Sequence, residues 1–165
     1  RHSAQTLLAP QEYDLKDFTM PVDEDARGSF AESIETLRGV VFILDDHLEA
    51  AKKLFQSLLE RTEHSLSETF CQLYLLQIAL LEGDNEKAEQ YASNRSVKSF
   101  LSLKMADVQM IQAWYQFKVK NDVAQARKAM KIARQKMNSS RMLQDEQCYY
   151  ENWLAELEKA LVEGV

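Results

Sequence analysis

The sequence predicts an all-α chain, a solenoid of about three antiparallel helix pairs followed by a C-terminal helix. Three observations carry this. Asp46–Ala50, Asp84–Ala88 and Asp122–Ala126 recur at one fixed interval of 38 residues, and an interval of that size marks units that bury an apolar face only against their neighbours. The chain has only 4 Gly and 2 Pro, with both Pro before residue 23, so helix breakers are nearly missing from the rest. From residue 29 onward, apolar residues fall at three- and four-residue steps, the period of one buried helix face.

Residues 1–28 lack that period. They hold Pro10, Pro21, Gly28 and the acidic run Asp23-Glu24-Asp25, with Leu7, Leu8, Tyr13, Leu15 and Phe18 scattered between. Two readings of this extended or flexible N-terminal arm stand side by side. It is a solvated leader, or its apolar residues dock onto a groove of this protein or of a partner.

The repeat domain is expected over 29–165, with units at 29–64, 65–102 and 103–139. Ser29 and Glu32 have the spacing of a capping box, and Ile34, Leu37, Val41 and Leu44 follow as one face. Asp46 and Glu49 open the partner helix, whose stripe is Ala50, Leu54 and Leu58 with Phe55 and Leu59. Ser65 and Glu68 start the second unit, and Gly83 suits a left-handed helix end before Asp84. The helix after Asp84 is the weakest, because Ser93-Asn94-Arg95-Ser96 are mediocre helix formers. The third unit runs from near Leu103 through Trp114 and Phe117 to Asn121. Asp122 and Gln125 cap its second helix, with Ala126, Ala129, Met130, Ala133 and Met137 facing inward. A final helix is expected over 143–163. It caps the stack or begins a further repeat.

Charge is segregated. Net charge is −6, yet residues 95–141 carry eleven Lys/Arg against Asp107 and Asp122 alone. Such a block holds neighbouring repeats together or meets an acidic partner. Cys71 and Cys148 have no paired spacing, which fits a reducing compartment, cytoplasmic or nuclear. The longest apolar run, Leu73 to Leu81, is interrupted by Gln77 and is too short to span a bilayer, so no membrane association is expected. Opening at Arg1 without Met, the chain reads as a piece of a longer protein. No HExxH, CxxC, glycine-rich phosphate loop or GxSxG is present, and His2, His47 and His64 do not cluster. Asp45-Asp46-His47 is accounted for by the cap at Asp46. Neither catalysis, a metal nor a cofactor is expected.

Paired helices with a small Ala early in the second one resemble tetratricopeptide repeats over roughly residues 29–137. In that family the Ala lets the paired helices approach closely, and Ala50, Ala88 and Ala126 match it. Leu54, Ala92 and Met130 fall where a large apolar residue is usual, and Val41, Ala79 and Phe117 where an aromatic is usual. Arg38, Leu76 and Trp114 depart from the small residue of the family pattern, as does the interval of 38 residues rather than 34. The chain resembles a degenerate, lengthened member, or the half-a-TPR relatives through Asn121-Asp122 and Ala126-Arg127. The resemblance implies a right-handed superhelix whose first helices line a concave groove.

On that geometry the partner-binding groove is formed by Phe42, Phe70, Leu73, Gln77, Leu80, Ile111, Tyr115 and Lys118. It is mainly apolar, which suits an apolar segment or amphipathic helix of a partner. The alternative is that part of it is core, covered by the arm or the last helix. The residues at the family's chaperone-tail clamp positions are Glu35, Gly39, Tyr74, Ile111 and Tyr115. None of them neutralises a terminal carboxylate by charge, so a chaperone C-terminal tail is not the expected ligand. Arg127, Lys128, Lys131 and Arg134 form a second candidate surface on the outer helix, a solvated face or a site for phosphate or acidic peptide. The expected function is a scaffold domain for protein–protein interaction within a larger intracellular assembly. The alternatives are a nucleic-acid-associated regulatory module using the basic helix, or a ligand-sensing domain of a transcription regulator.

Overall fold

The computed structural model describes residues 24–139 and 142–164. Residues 1–23 of the expected arm lie outside the described residues. The remainder of that segment belongs to a helix, so the arm does not extend to residue 28. Among the described residues all regular structure is helical. The helices are α1 (Glu24–Leu44), α2 (Leu48–Arg61), α3 (Ser65–Glu82), α4 (Asn85–Ala92), α5 (Arg95–Phe100), α6 (Ala106–Lys118), α7 (Val123–Ser139) and α8 (Gln144–Glu163). The chain divides into two compact units, a first ending at Cys71 and a second beginning at Gln72, and the division falls inside α3.

In the first unit α1 and α2 form a helical hairpin. Their crossing depends on Gly39. A Cβ at that position would lie 2.3 to 2.8 Å from three atoms of the Phe55 ring, and Phe55 is fully buried. The buried stripe of α1 is Gly39, Val40 and Ile43, while Ile34, Leu37, Val41 and Leu44 are only half-buried. The turn explains the offset. Asp46 has a left-handed backbone, φ 62°. Its N–H donates to the Ile43 carbonyl at 3.0 Å, and the His47 N–H donates to the Phe42 carbonyl at 2.8 Å. This is a Schellman ending, in which an Asp occupies the place usually taken by Gly. Asp46 therefore ends α1 and does not cap α2, and His47, the residue before α2, makes no side-chain cap bond. The buried alanine of α2 is Ala51, with Ala50 half-buried. Ser29 lies inside α1, where its carbonyl accepts from the Ser33 hydroxyl, so the first capping box is also absent.

The same device closes α3, where the Asp84 N–H donates to the Ala79 carbonyl at 2.9 Å, and a left-handed residue also follows α6. Gly83 is left-handed at φ 76° and Asn121 at φ 56°. The left-handed residue precedes a fully buried alanine by five positions in each case: Asp46 and Ala51, Gly83 and Ala88, Asn121 and Ala126. The turns repeat, but the Asp-to-Ala pairing slips by one residue in the first unit. Asp84 and Asp122 do cap their helices, accepting from the N–H groups of Lys87 and Gln125 at 3.0 Å.

In the second unit the helix after Asp84 breaks. α4 stops at Ala92, and Asn94 starts α5 by accepting from the N–H groups of Ser96 and Val97. α6 and α7 pack along their length. The α7 face of Ala126, Ala129, Met130, Ala133 and Met137 is buried, and its small residues allow the close approach. α8 packs on both. Trp153 of α8 stacks on Trp114 of α6 with ring centroids 5.6 Å apart and planes 14° apart. The Trp114 indole N–H donates to the Trp153 carbonyl at 3.3 Å.

Candidate interaction surface

The residues expected to line an open groove are mostly core. Leu73, Gln77, Leu80, Ile111 and Tyr115 are all buried, so they present no surface to a partner. The physical reason is visible in the second unit. Tyr150, Trp153, Leu154, Leu157 and Leu161 give α8 an apolar stripe, and α8 packs on α6, where Trp153 stacks on Trp114. The Gln77 amide lies 3.4 Å from the Tyr150 hydroxyl, a long contact within the core. Tyr115 turns its hydroxyl to Glu89 of α4, donating at 2.7 Å. That bond, with Lys120 beside it, holds the Glu89 carboxyl below the usual range, and burial pushes the Tyr115 phenol up. Of the eight, Phe42 and Phe70 are half-buried and Lys118 is exposed. The Lys118 ammonium sits 6.0 Å from the Trp114 ring centroid, where a cation is attracted to the ring face.

The second candidate surface is open. Arg127, Lys128, Lys131 and Arg134 are exposed, as is Lys136. α7 carries these five cations and no acid. Arg134 is ion-paired to Glu158 of α8. Arg127, Lys131 and Arg134 share one stripe of the outward face, with Lys128 and Lys136 beside it, on a helix whose other side is buried.

Two hollows flank this end of the second unit. One, of about 210 Å³, lies between the α5–α6 loop and α7, with Leu101, Ala129 and Ile132 among its lining and Lys104 and Lys128 beside them. The other, of about 330 Å³, is lined by Lys104, Met105, Ala106, Asp107, Lys136, Met142 and Glu146. Burial raises the carboxyl pKa of Asp107, opposed by bonds from backbone N–H groups at the start of α6. Burial also raises Glu146, and the Asp107 charge adds to it. Neither hollow is legible in the sequence, because each depends on where a loop settles against a distant helix.

The first unit has its own polar cluster. Glu32 accepts from the Thr62 hydroxyl at 2.6 Å, and Arg61 pairs with Glu35. Burial opposes ionisation of Glu32, but bonds from Thr62 and Ser67 and the nearby His64 and Arg61 outweigh it and lower its pKa. Glu32, Arg61, Glu63 and His64 line a hollow of about 440 Å³. Cys71 is fully buried, and burial, with Glu32 and Glu35 nearby, pushes its thiol up to about 12. It is therefore unreactive at neutral pH. Among the described residues no group of three or more His, Cys, Asp or Glu is placed to hold a metal ion. No described helix is long and apolar enough to cross a membrane. No known family, curated protein or solved structure matches the chain.

Proposed function

We propose that the chain is a tetratricopeptide-like interaction module of a larger assembly, and that it binds an acidic segment of a protein partner along the outer face of α7. The repeat reading draws support from the first hairpin. With Ala51 rather than Ala50 as the small residue of the second helix, Gly39 takes the place of Arg38 in the first, and Phe55 takes the place of Leu54. Both changes bring the unit nearer to the family pattern, with a small residue on each side of the crossing. Three left-handed residues, each five positions before a buried alanine, support a recurring helix-pair unit, and stacking of such units in a right-handed superhelix is part of the proposal.

The observation that carries the binding reading is the α7 stripe: five exposed cations and no acid on one helix, in a chain whose net charge is −6. Concentrated positive charge on an acidic protein selects acidic partners and speeds their encounter. Nucleic acid is the competing ligand. The aromatic side chains Trp114, Tyr115, Phe117, Tyr150 and Trp153 are buried and offer no stacking platform for single strands, which favours protein.

The test is affinity capture followed by mass spectrometry, with the native protein compared with Arg127→Glu/Lys128→Glu/Lys131→Glu. These positions are exposed, and circular dichroism of the variant checks that the fold is kept. The reading expects a specific partner that is lost from the variant and released by salt. Capture of the same partner by both proteins would refute it.

A further inference from the structure

The hollow of about 210 Å³ beside the α7 stripe has the chemistry of a specificity pocket. Its lining is mixed: Leu101, Ala129 and Ile132 are aliphatic, and Ser102, Gln109, Gln112 and Gln125 are polar. Leu101 and Ala129 are buried and Ile132 is half-buried. Its loop wall is fixed, because the Gln109 amide nitrogen donates to the carbonyls of Leu101 at 3.1 Å and Leu103 at 2.7 Å. Lys104 from the loop and Lys128 from α7 line it and are exposed, and no acid does. Lys128 and Ile132 are one helical turn apart, so cation and apolar patch share one stripe of α7.

We propose that this hollow takes one large apolar side chain of an acidic partner peptide, with Lys104 and Lys128 pairing with carboxylates around it. The proposal rests on the reading of α7 as a face for acidic protein segments and adds what that reading lacks, a means of choosing among them. A purely charged stripe binds any polyanion, whereas a hollow with an aliphatic patch of Leu101, Ala129 and Ile132 between two cations rewards one anchor at one register. The occupant follows from complementarity. The cations call for carboxylates, the aliphatic patch calls for leucine or phenylalanine, and the Gln112 amide at the wall can bond a peptide backbone. A nucleotide base would find no ring to stack on.

The experiment is fluorescence anisotropy on the full chain with four labelled probes. They are a short peptide with a central leucine between aspartates, the same peptide with alanine at the centre, an all-aspartate peptide, and a single-stranded oligonucleotide of matched charge. The leucine peptide is expected to bind at least about tenfold more tightly than the alanine peptide, the gain from removing one large side chain from water. Lys104→Glu and Lys128→Glu, both exposed and neutral to folding, should each weaken the leucine peptide. Ile132→Ala should erase most of the leucine preference while leaving the salt-dependent component. Equal binding of the leucine, alanine and all-aspartate peptides would overturn the pocket and leave the acidic-partner reading standing. Failure of every peptide to bind would overturn both. Tighter binding of the oligonucleotide than of the leucine peptide would also overturn the pocket and return α7 to a nucleic-acid role.

Discussion

Replacing Gly39 with Ala should destabilise the protein, although the same change in an ordinary helix stabilises it. In a helix interior Gly→Ala gains about 0.5–1 kcal/mol by restricting the unfolded chain. Here the added methyl would lie 2.3, 2.7 and 2.8 Å from the Cζ, Cε2 and Cε1 atoms of Phe55, inside the distance at which carbon atoms repel. Phe55 is fully buried and has nowhere to retreat, so the hairpin must open or the ring must leave its rotamer. Overpacking of this kind costs about 1–3 kcal/mol. The net loss is then up to about 2.5 kcal/mol, or a fall in Tm of up to about 10 °C for a chain of this size. Thermal and urea unfolding followed by circular dichroism would read it. Combining Gly39→Ala with Phe55→Leu should cost less than the sum of the single changes, because the smaller side chain makes room for the methyl. A rise in Tm for Gly39→Ala alone would show that α1 and α2 do not meet at this point, and the Gly39 and Ala51 register would fall with it.

Asp107 and Glu146 have raised carboxyl pKa values, so their ionised forms are disfavoured in the fold relative to the unfolded chain. Their cost is present at neutral pH and is relieved as pH falls through the raised pKa values. Asp107→Asn should therefore raise Tm at neutral pH, with an advantage that shrinks on acidification. A constant advantage at every pH would contradict the assignment. Tyr115→Phe removes the donor to Glu89 and should cost about 1 kcal/mol, as Glu89 is partly exposed; urea unfolding that leaves stability unchanged would refute a role for this bond. A thiol reagent should label exposed Cys148 quickly and buried Cys71 only on unfolding. Equal native rates would contradict the burial of Cys71.

The parts of the fold that depend on local spacing were legible in the sequence. The buried face of α7 is the one its apolar spacing marks. The final helix begins and ends within a residue of expectation, closed by left-handed Gly164. The weak stretch at Ser93-Asn94 is a true break, because Asn94 spends its side chain capping a new helix. Other features were not legible. Asp23-Glu24-Asp25 reads as a solvated run, yet acids also suit the first turn of a helix, and α1 starts at Glu24. An Asp before a helix reads as a cap, but at Asp46 the left-handed backbone makes it the end of the helix before. The groove residues were placed by a geometry that leaves them open, and local spacing says nothing about where α8 will settle. The α7 cations were legible as a stripe, whereas the hollow beside Lys128 needs the α5–α6 loop brought back by Gln109.

A partner is proposed to meet this protein on the outer face of α7 rather than in a groove of apolar side chains. Site-specific photo-crosslinking tests this most directly, with a photoreactive phenylalanine analogue placed at Lys131 in one protein and at Phe42, the groove candidate of the first unit, in another. The partner should crosslink from position 131 and not from position 42. Crosslinking from position 42 with none from position 131 would contradict it.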